Sequence, residues 1–326
     1  MQNVGIFCGG YSSEYEISVK SATTIFNHLE RTKYTPFLIY VTREKWEIDY
    51  HGERLIVSPE DFSFTSAKDG KQKIDIAHVY IHGNPGENGK LQAYLEMKEL
   101  PFINSGSLAS QLSFDKWFCN QFIKGFGVKV AQSVLLRNEK NFDSKAIANE
   151  LGLPLFVKPS DSGSSFGISK VYHEKDLTAA ILEAFKEGKT VICEAFMKGT
   201  EVTCGIYRND KGIQTLPCTE IVSETDFFDY EAKYLGKSQE ITPARISEEL
   251  TQKIQVITAK VYDLLQLRSL ARVDFIIIDN VPHVIEVNTT PGFSAESIVP
   301  KMLTAAGIPI TDFWNEIYAF ELAHLH

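Results

Sequence analysis

Short apolar runs alternate with amphipathic stretches in the first hundred residues. The run "NVGIFCGG" ends in two glycines, and apolar residues then recur at helical spacing at positions 22, 25, 26 and 29. Two more apolar runs, "YTPFLIYV" and "IDIAHVYIHG", flank a polar stretch at 43–73, and "KLQAYLEMKEL" again has helical spacing. Strands alternating with helices are typical of an open, mainly parallel sheet. The pattern therefore predicts an α/β domain over residues 1–104.

Two further α/β units follow along the chain. The second, predicted at 105–194, begins with the helical stretch "DKWFCNQFIKGFG" and contains the strands "VAQSVLL", "LPLFVKPS", "GISKVY" and "TVICEAF", with the helix "LTAAILEAFK" among them. The third, predicted at 195–326, opens with the strand "EVTCGIY" and continues into a polar loop. A long helix from about Ser247 to Leu267 and a hairpin of two apolar runs come next.

The composition excludes several classes of protein. The chain has 326 residues, of which 44% are hydrophobic and 23% charged, and its net charge is -9, which is typical of a globular protein and gives no electrostatic reason to bind nucleic acid or an anionic membrane. Five cysteines without a CxxC pair indicate neither a disulfide framework nor a zinc site. We see no signal-peptide pattern and no apolar run long enough to cross a bilayer. We therefore expect a cytoplasmic protein.

The hairpin "ARVDFIIIDNVPHVIEVNTT" carries polar residues inside apolar runs. Asp274, Glu286 and Asn288 interrupt stretches of Val, Ile and Phe, and a buried charge is costly unless it is paired or bound to a metal. The residues alone leave open a structural polar cluster, such as an ion pair of Arg272 with Asp274, or a cation site. We predict a three-residue turn at 279–281, which would pair Asp274 with Glu286 on one face of the sheet.

A loop rich in glycine and serine follows one strand of the second unit. In "KPSDSGSSFG", Lys158 ends the strand, and the loop offers backbone N–H groups and hydroxyls to a phosphate. The loop matches neither the P-loop nor the dinucleotide fingerprint. Taken alone this signal is weak, and a plain hairpin turn with a surface lysine is the more common explanation of such a loop.

Six motifs occur in the order found in the ATP-grasp ligases. They are "FDKW", "VKPSDSGSSFG", "ICEAFMKGTE", "DYEAKYL", "ARVDF" and "EVNTTPGFSAES". Two further motifs, "GGYSSEYEIS" and "HGNPGENGKLQ", resemble those of the D-alanine–D-alanine ligase family. The resemblance runs from Gly9 to beyond Ser297. It implies a three-domain ATP-grasp fold, with an N-terminal parallel-sheet domain and with ATP between the sheets of the central and C-terminal domains.

The resemblance also implies how the nucleotide and its metal are held. The implied nucleotide-binding residues are Lys116, Lys158 and Lys233 at the phosphates, Ser165 in the Gly/Ser loop, Glu194, Ala195, Phe196 and Met197 at the adenine, and Glu201 at the ribose. The implied metal ligands are Asp274, Glu286 and Asn288. Oxygen ligands of this kind suit Mg²⁺, and the family uses two Mg²⁺ ions, whose place Mn²⁺ can take.

The family activates one D-alanine as an acyl phosphate, which the amine of a second D-alanine attacks, and the dipeptide serves peptidoglycan synthesis. The implied catalytic residues are Glu14 at the first ammonium, Ser164 and Tyr234 as its partners, and Arg272 and the N–H of Gly292 at the oxyanion. The implied substrate-binding residues are His82 and Ser297, the latter at the second carboxylate. The resemblance also implies a homodimer. We expect residues 223–240 to close over the site as a lid.

Several alternatives stay open at the level of the sequence. The acceptor could be D-serine or D-lactate, and the chain could bind ATP without catalysis, although no metal ligand is lost and Arg272 is present. Ser13 and Glu16 have capping-box spacing, so Glu14 could be only a helix-start charge. Tyr234 could be a surface aromatic, and His82 could merely end a strand.

The chain departs from its relatives at two places near the predicted second amino-acid site. Asn84-Pro85 and Asn88 stand in the "HGNPGENG" motif, where many relatives carry Asp at the second of these positions, and Phe293 and Ser294 stand where Met and Thr are common. These departures bear on the choice of acceptor.

Overall fold

The computed structural model describes residues 1–161, 167–223 and 238–324. Its N-terminal sheet has the strand order β4-β3-β2-β1-β7-β8. The strands of this region are β1 (Gln2–Gly9), β2 (Tyr34–Val41), β3 (Trp46–Tyr50), β4 (Glu53–Ile56), β5 (Ser63–Ser66), β6 (Gly70–Lys73), β7 (Ile76–Val79) and β8 (Phe102–Ile103). Strands β2, β1, β7 and β8 are parallel, and β3 and β4 are antiparallel. The predicted mainly parallel sheet is confirmed.

Two helices pack on this sheet. Helix α1 (Tyr15–His28) follows the two glycines after β1, and α2 (Lys90–Met97) follows the loop after β7. The buried face of α1 carries Ser18, Ser21, Ala22 and Ile25, which places two hydroxyls inside the protein. The polar stretch at 43–73 folds into β3 to β6, where β5 and β6 pair with each other.

The central sheet is antiparallel, with the order β11-β10-β12-β9. Its elements are α3 (Ser107–Phe114), α4 (Lys116–Gly125), β9 (Ser133–Leu136), α5 (Ser144–Leu151), β10 (Leu155–Pro159), β11 (Ser169–Val171), α6 (Glu174–Glu187) and β12 (Val191–Ala195). Helices α3 and α5 were not predicted from the sequence. Asp115 caps α4 by accepting from the N–H groups of Trp117 and Phe118, and so fixes Lys116 at the first position of this helix.

The C-terminal sheet has the order β16-β15-β13-β17-β18, with β14 paired to β13, and all its pairs are antiparallel. Its elements are β13 (Thr200–Asn209), β14 (Gly212–Thr215), β15 (Thr219–Ser223), β16 (Ser238–Ile241), α7 (Glu248–Leu264), β17 (Ala271–Ile278), β18 (Val281–Asn288), α8 (Ile298–Ala305) and α9 (Ile310–His324). Most of the predicted lid, residues 224–237, lies outside the described residues. None of the helices in the described part of the chain is long and apolar enough to cross a membrane.

The last helix of the chain returns to the first sheet. On α9, Phe313, Trp314 and Tyr318 share one hydrophobic core with Val4 and Ile6 of β1. Helices α3 and α4 likewise contribute to the core of the C-terminal sheet through buried side chains such as Ala109 and Ile123. The units are therefore packed on each other through apolar cores. The domain boundaries at 104 and 194 stay a prediction.

The turn of the β17–β18 hairpin has two residues, so the predicted three-residue turn is wrong. Ile278 pairs with Val281, and Asp279 and Asn280 form the turn with φ values of 48° and 60°. Positive φ at both central residues is typical of a type I′ turn, which Asp and Asn tolerate well. With no further irregularity, this turn would place Asp274 and Glu286 on opposite faces.

A β-bulge restores the shared face. Phe275 pairs with Val284, but the next pair is Asp274 with Glu286, so Ile285 is an extra residue in β18. One inserted residue shifts the alternation of side chains by one position. Asp274 and Glu286 are therefore cross-strand partners on one face, as predicted, although the cause is the bulge and not the length of the turn.

Candidate active site

The three units meet around a cavity of about 690 Å³. Eight of the residues predicted for the site lie in its wall. They are Glu14, His82, Lys116, Arg272, Glu286, Asn288, Gly292 and Ser297. The N-terminal unit contributes the first two, α4 the third, and the C-terminal unit the others. The cavity thus brings together residues that are almost 300 positions apart in the sequence.

Glu14 occupies the N-cap position of α1, and its residue is only 8% exposed. The capping box of Ser13 and Glu16 is wrong, because the helix begins at Tyr15 and no side chain caps it. Ser12 instead ties this turn to the neighbouring loop, accepting from the N–H of Glu14 at 3.3 Å and donating to the carbonyl of His82 at 2.9 Å. These bonds hold the Glu14 carboxylate at the cavity wall.

Glu87, which was not among the residues predicted from the sequence, also lies in the cavity wall. The N–H of Gly83 donates to its Oε2 at 3.0 Å. Burial, reinforced by the nearby charge of Glu14, raises the pKa of Glu87 to about 7. The available signal was a carboxylate between two glycines in "PGENG", in the loop that follows the buried strand β7.

His82 is buried and joins two loops. Its Nε2 lies 3.3 Å from the Oγ of Ser21, and its ring hydrogen-bonds to the backbone of Thr290. Burial lowers the pKa of the imidazole, which favours the neutral ring. His82 therefore does more than end a strand, because it connects the N-terminal unit to the loop after β18.

Arg272 and Asp274 form a two-pronged ion pair on β17, which confirms that these residues are paired. Nε of Arg272 lies 2.8 Å from Oδ1 of Asp274, and Nη2 lies 2.8 Å from Oδ2. Asn288 also donates to Oδ2, at 3.0 Å, and Thr203 donates to Oδ1 at 2.5 Å. The carboxylate therefore accepts four hydrogen bonds, which matches its full acceptor capacity.

Lys116 faces the other carboxylate of the hairpin. Its Nζ lies 3.5 Å from Oε2 of Glu286. One turn further along α4, Asn120 donates to the carbonyl of the bulge residue Ile285 at 3.3 Å. The same helix therefore supplies the lysine and holds the bulge that aims Glu286 at the cavity.

The donor set partly fits a hard cation. Glu286 and Asn288 both line the cavity, and because Asn288 turns its amide nitrogen to Asp274, its amide oxygen points away from that residue. Carboxylate and amide oxygens are suitable ligands for Mg²⁺. Asp274 could join them only by exchanging one of its four donors for the cation. Within the described ranges, no three His, Cys, Asp or Glu residues form a metal-binding cluster.

The loop after β18 presents backbone and hydroxyl donors. Within the part of the chain described here, the N–H of Gly292 makes no hydrogen bond. A Cβ at Gly292 would lie 3.0 Å from the Oγ of Ser297, so glycine permits this close approach. The Oγ of Ser294 lies 2.8 Å from that of Ser297. Phe293 is buried and stacks on Phe313, so of the two departures here Ser294 lines the cavity and Phe293 belongs to the core.

Six other residues predicted for the nucleotide are described by the structure and are not part of this cavity wall. Lys158 Nζ and Glu194 Oε2 are 2.6 Å apart and both side chains are buried. Phe196 packs edge-on against Phe156 at 5.8 Å, and Glu201 lies on β13. Ala195 ends β12, and Met197 follows in the connection to β13. Four predicted residues lie outside the described residues: Ser164, Ser165, Lys233 and Tyr234.

Two family models match this chain. Residues 3–105 match the model described as D-ala D-ala ligase N-terminus, and residues 122–318 match the one described as D-ala D-ala ligase C-terminus. The chain belongs to the D-alanine–D-alanine ligase family. Solved structures of the family also superimpose on this chain over nearly all residues. The three-domain ATP-grasp fold expected from the motifs is therefore confirmed.

Individual members of the family match along the whole chain. The D-alanine–D-alanine ligase of Azobacteroides pseudotrichonymphae is 44% identical over 97% of this chain and 99% of its own length. That of Flavobacterium johnsoniae is 44% identical over 99% of this chain and 100% of its own length.

Solved structures of the family superimpose over nearly all residues. VanG D-Ala:D-Ser ligase from Enterococcus faecalis gives a TM-score of 0.87 at 30% identity and covers 98% of this chain and 99% of its own. D-alanyl-alanine synthetase A from Vibrio cholerae gives 0.88 at 27% identity, covering 98% of each chain. The ligase from Bacillus anthracis complexed with ATP gives 0.80 at 26% identity, covering 100% of this chain and 99% of its own.

Proposed function

We propose that this chain is an ATP-dependent ligase that joins two D-alanines into D-alanyl-D-alanine through an acyl phosphate, for peptidoglycan synthesis. One observation carries the proposal. A single cavity is lined both by groups suited to an amino acid, such as Glu14, Arg272 and Ser297, and by groups suited to a metal-bound phosphate, such as Lys116 and Glu286. The reaction needs both sets within reach of the same carboxylate.

In the first step, a carboxylate oxygen of one D-alanine attacks the γ-phosphorus of ATP, and the bond to ADP breaks. Lys116 and Lys158 neutralise the phosphate charge, and the ion pair of Lys158 with Glu194 still leaves ammonium donors for an oxygen of the nucleotide. Glu286 and Asn288, joined by Asp274 after exchange of a donor, would hold Mg²⁺, and the bound ion would supply further charge neutralisation. We infer two such ions from the family, with Mn²⁺ as a substitute.

In the second step, the neutral amine of the other D-alanine attacks the acyl carbon, the carbon–oxygen bond to phosphate breaks, and the departing phosphate takes up the proton that the amine loses. The tetrahedral intermediate carries an oxyanion. The N–H of Gly292 and the guanidinium of Arg272, whose plane Asp274 fixes, are the donors proposed for it. Glu14 faces the ammonium of the first D-alanine, and Ser297 binds the carboxylate of the second.

The setting of the reaction follows from its substrates and from the family. We propose that the enzyme works in the cytoplasm, where ATP is available, and as a homodimer. Sedimentation at working concentrations tests the dimer, and a single species at the monomer mass would remove that part of the proposal.

The test is phosphate release from ATP with a panel of D- and L-amino acids, given singly and in pairs, with the products identified by mass spectrometry. D-Alanine alone should support turnover and yield the dipeptide. A product formed only when D-serine or D-lactate is added would reassign the acceptor. Phosphate release that ignores every amino acid would contradict a ligase.

A further inference from the structure

Two side chains of the N-terminal unit hold the peptide groups on either side of Gly292. The hydroxyl of Tyr80 donates to the carbonyl of Pro291 at 2.7 Å. The N–H of Phe293 donates to the Oγ of Ser21 at 3.1 Å. Both Tyr80 and Ser21 are buried.

The first of these bonds sets the direction of the Gly292 N–H. The carbonyl of Pro291 and the N–H of Gly292 belong to one peptide plane, and this peptide is trans. In a planar trans peptide the C=O and N–H bonds point in opposite directions. A hydroxyl that holds the carbonyl on one side therefore directs the N–H to the other side. A hydrogen bond accepted by the carbonyl also polarises the N–H as a donor.

Tyr80 is itself held firmly. Its N–H donates to the carbonyl of Phe7, and its carbonyl accepts from the Oγ of Ser18 at 2.6 Å. Its ring packs edge-on among aromatic side chains that include Phe293 and Trp314. Burial raises the pKa of the phenol well above its usual value, so the hydroxyl keeps its proton and remains a donor.

Ser21 fixes the second peptide plane, which joins Gly292 to Phe293. Its hydroxyl also lies within hydrogen-bond distance of His82. Since the ring of His82 also bonds to the backbone of Thr290, the loop from Thr290 to Phe293 is held at three points by the N-terminal unit. Glycine has no Cβ to restrict its backbone, so without these bonds the peptides beside Gly292 would be free to turn.

We propose that Tyr80 and Ser21 are positioning residues that aim the Gly292 N–H at the oxyanion. The inference rests on the proposed function, because it concerns the donor of that reaction. The proposal gives a role in the reaction to a residue of the apolar core between the N-terminal and C-terminal units, namely Tyr80. The sequence predicted no residue of this core for the site.

The experiment compares Tyr80→Phe with the matched control Tyr318→Phe. Tyr318 belongs to the same aromatic cluster, and its hydroxyl makes a buried bond of 2.9 Å to Nδ1 of His78; among the described residues it makes no hydrogen bond to the loop. Each variant loses one buried hydroxyl and keeps its ring, so the two should lose similar stability. Tyr80→Phe should lower kcat by about tenfold or more, approaching the 10²–10³ of a lost oxyanion donor. The KM values for ATP and D-alanine should stay within about twofold of the wild type.

A second readout separates positioning from general damage. A phosphinate analogue of the dipeptide carries a fixed tetrahedral oxyanion, so its affinity should fall with kcat in Tyr80→Phe, while the affinity for D-alanine stays constant. Ser21→Ala should show the same split between kcat and KM. Because both residues act on one loop, the double variant should lose less than the product of the two single effects.

The possible outcomes distinguish failure of the positioning role from failure of the proposed ligase function. If the wild type turns over but Tyr80→Phe keeps its kcat, or if Tyr318→Phe loses as much, the positioning role is wrong and the ligase stands. If the wild type forms no dipeptide, the reaction is absent and both proposals fall. If Tyr80→Phe does not fold, the kinetics of Ser21→Ala decide.

Discussion

Replacing Glu87 by Gln should change how the stability of the protein depends on pH. The carboxyl of Glu87 lies in the cavity wall, and burial followed by the charge of Glu14 raises its pKa from 4.5 to about 7. The folded protein therefore binds this proton more tightly than the unfolded chain does. Between pH 4.5 and about 7, folded Glu87 stays protonated while unfolded Glu87 does not, so the free energy of unfolding falls as the pH rises.

The size of the pKa shift of Glu87 sets the size of the change in the free energy of unfolding. A change from 4.5 to about 7 corresponds to about 3 kcal/mol, since one pKa unit is worth about 1.4 kcal/mol. This is an upper limit, because Glu87 borders a cavity that water can enter. Gln keeps an oxygen that can accept from the N–H of Gly83, so the variant removes the titration and preserves the hydrogen bond.

The assay is urea unfolding of both proteins across pH 4 to 8.5, without nucleotide. The stability of Glu87→Gln relative to the wild type should rise with pH through this window and level off above pH 7. Glu16→Gln, which removes an exposed carboxylate from α1, controls for the loss of one negative charge. If the free energies of unfolding of the wild type and Glu87→Gln change in parallel with pH, the reasoning is refuted. A stability advantage of Glu87→Gln that shrinks as the pH rises would refute it as well.

Three further predictions concern the reaction and its metal. Arg272→Ala should lower kcat by about 10²–10³ and leave the Kd of ATP nearly unchanged, because an oxyanion donor acts on charge that develops in the transition state; a large loss of ATP affinity with normal turnover would contradict this. Glu14→Gln should raise the KM for the first D-alanine by removing the charge opposite its ammonium, and a wild-type KM would end that role. Glu286→Gln should weaken Mn²⁺ binding to the nucleotide complex, because it removes the carboxylate that the hairpin places in the cavity wall. Ile285→Ala, which keeps this carboxylate, should retain the Mn²⁺ binding, and a normal Mn²⁺ titration of Glu286→Gln would rule out Glu286 as a metal ligand.

The periodicity of the sequence was sufficient for the main strands and helices. The apolar run before Gly9 is β1, and the apolar spacing from Ala22 to Leu29 marks the buried side of α1. These elements are recognisable because their own residues carry the pattern of burial. Eight of the residues that the motifs predicted for the site lie in one cavity wall, and their roles stay a prediction.

The β17–β18 hairpin shows why register is harder to predict than strands. The pair Asp279-Asn280 favours a two-residue turn, and the compensating bulge at Ile285 carries no mark of its own in the strand. Its carbonyl is held by Asn120, more than 160 residues earlier. Such a contact depends on how α4 packs on the sheet, and a local pattern contains no information on it.

Glu87 and α9 illustrate a second limit. The perturbed carboxyl of Glu87 depends on Glu14 and on burial at a junction of units, which no single segment displays. Helix α9 packs Trp314 and Tyr318 into the core of the first sheet, where the sequence order suggested a purely C-terminal element. Long-range packing decides both features.

The most direct test of the central claim follows the oxygen of the first D-alanine. In the proposed reaction, the carboxylate oxygen that attacks ATP leaves with the phosphate when the amine attacks the acyl carbon. D-Alanine labelled with ¹⁸O in its carboxylate should therefore yield inorganic phosphate carrying one ¹⁸O atom for each dipeptide formed, as measured by mass spectrometry. Dipeptide formed with unlabelled phosphate, or with the label in AMP, would contradict an acyl phosphate at this site.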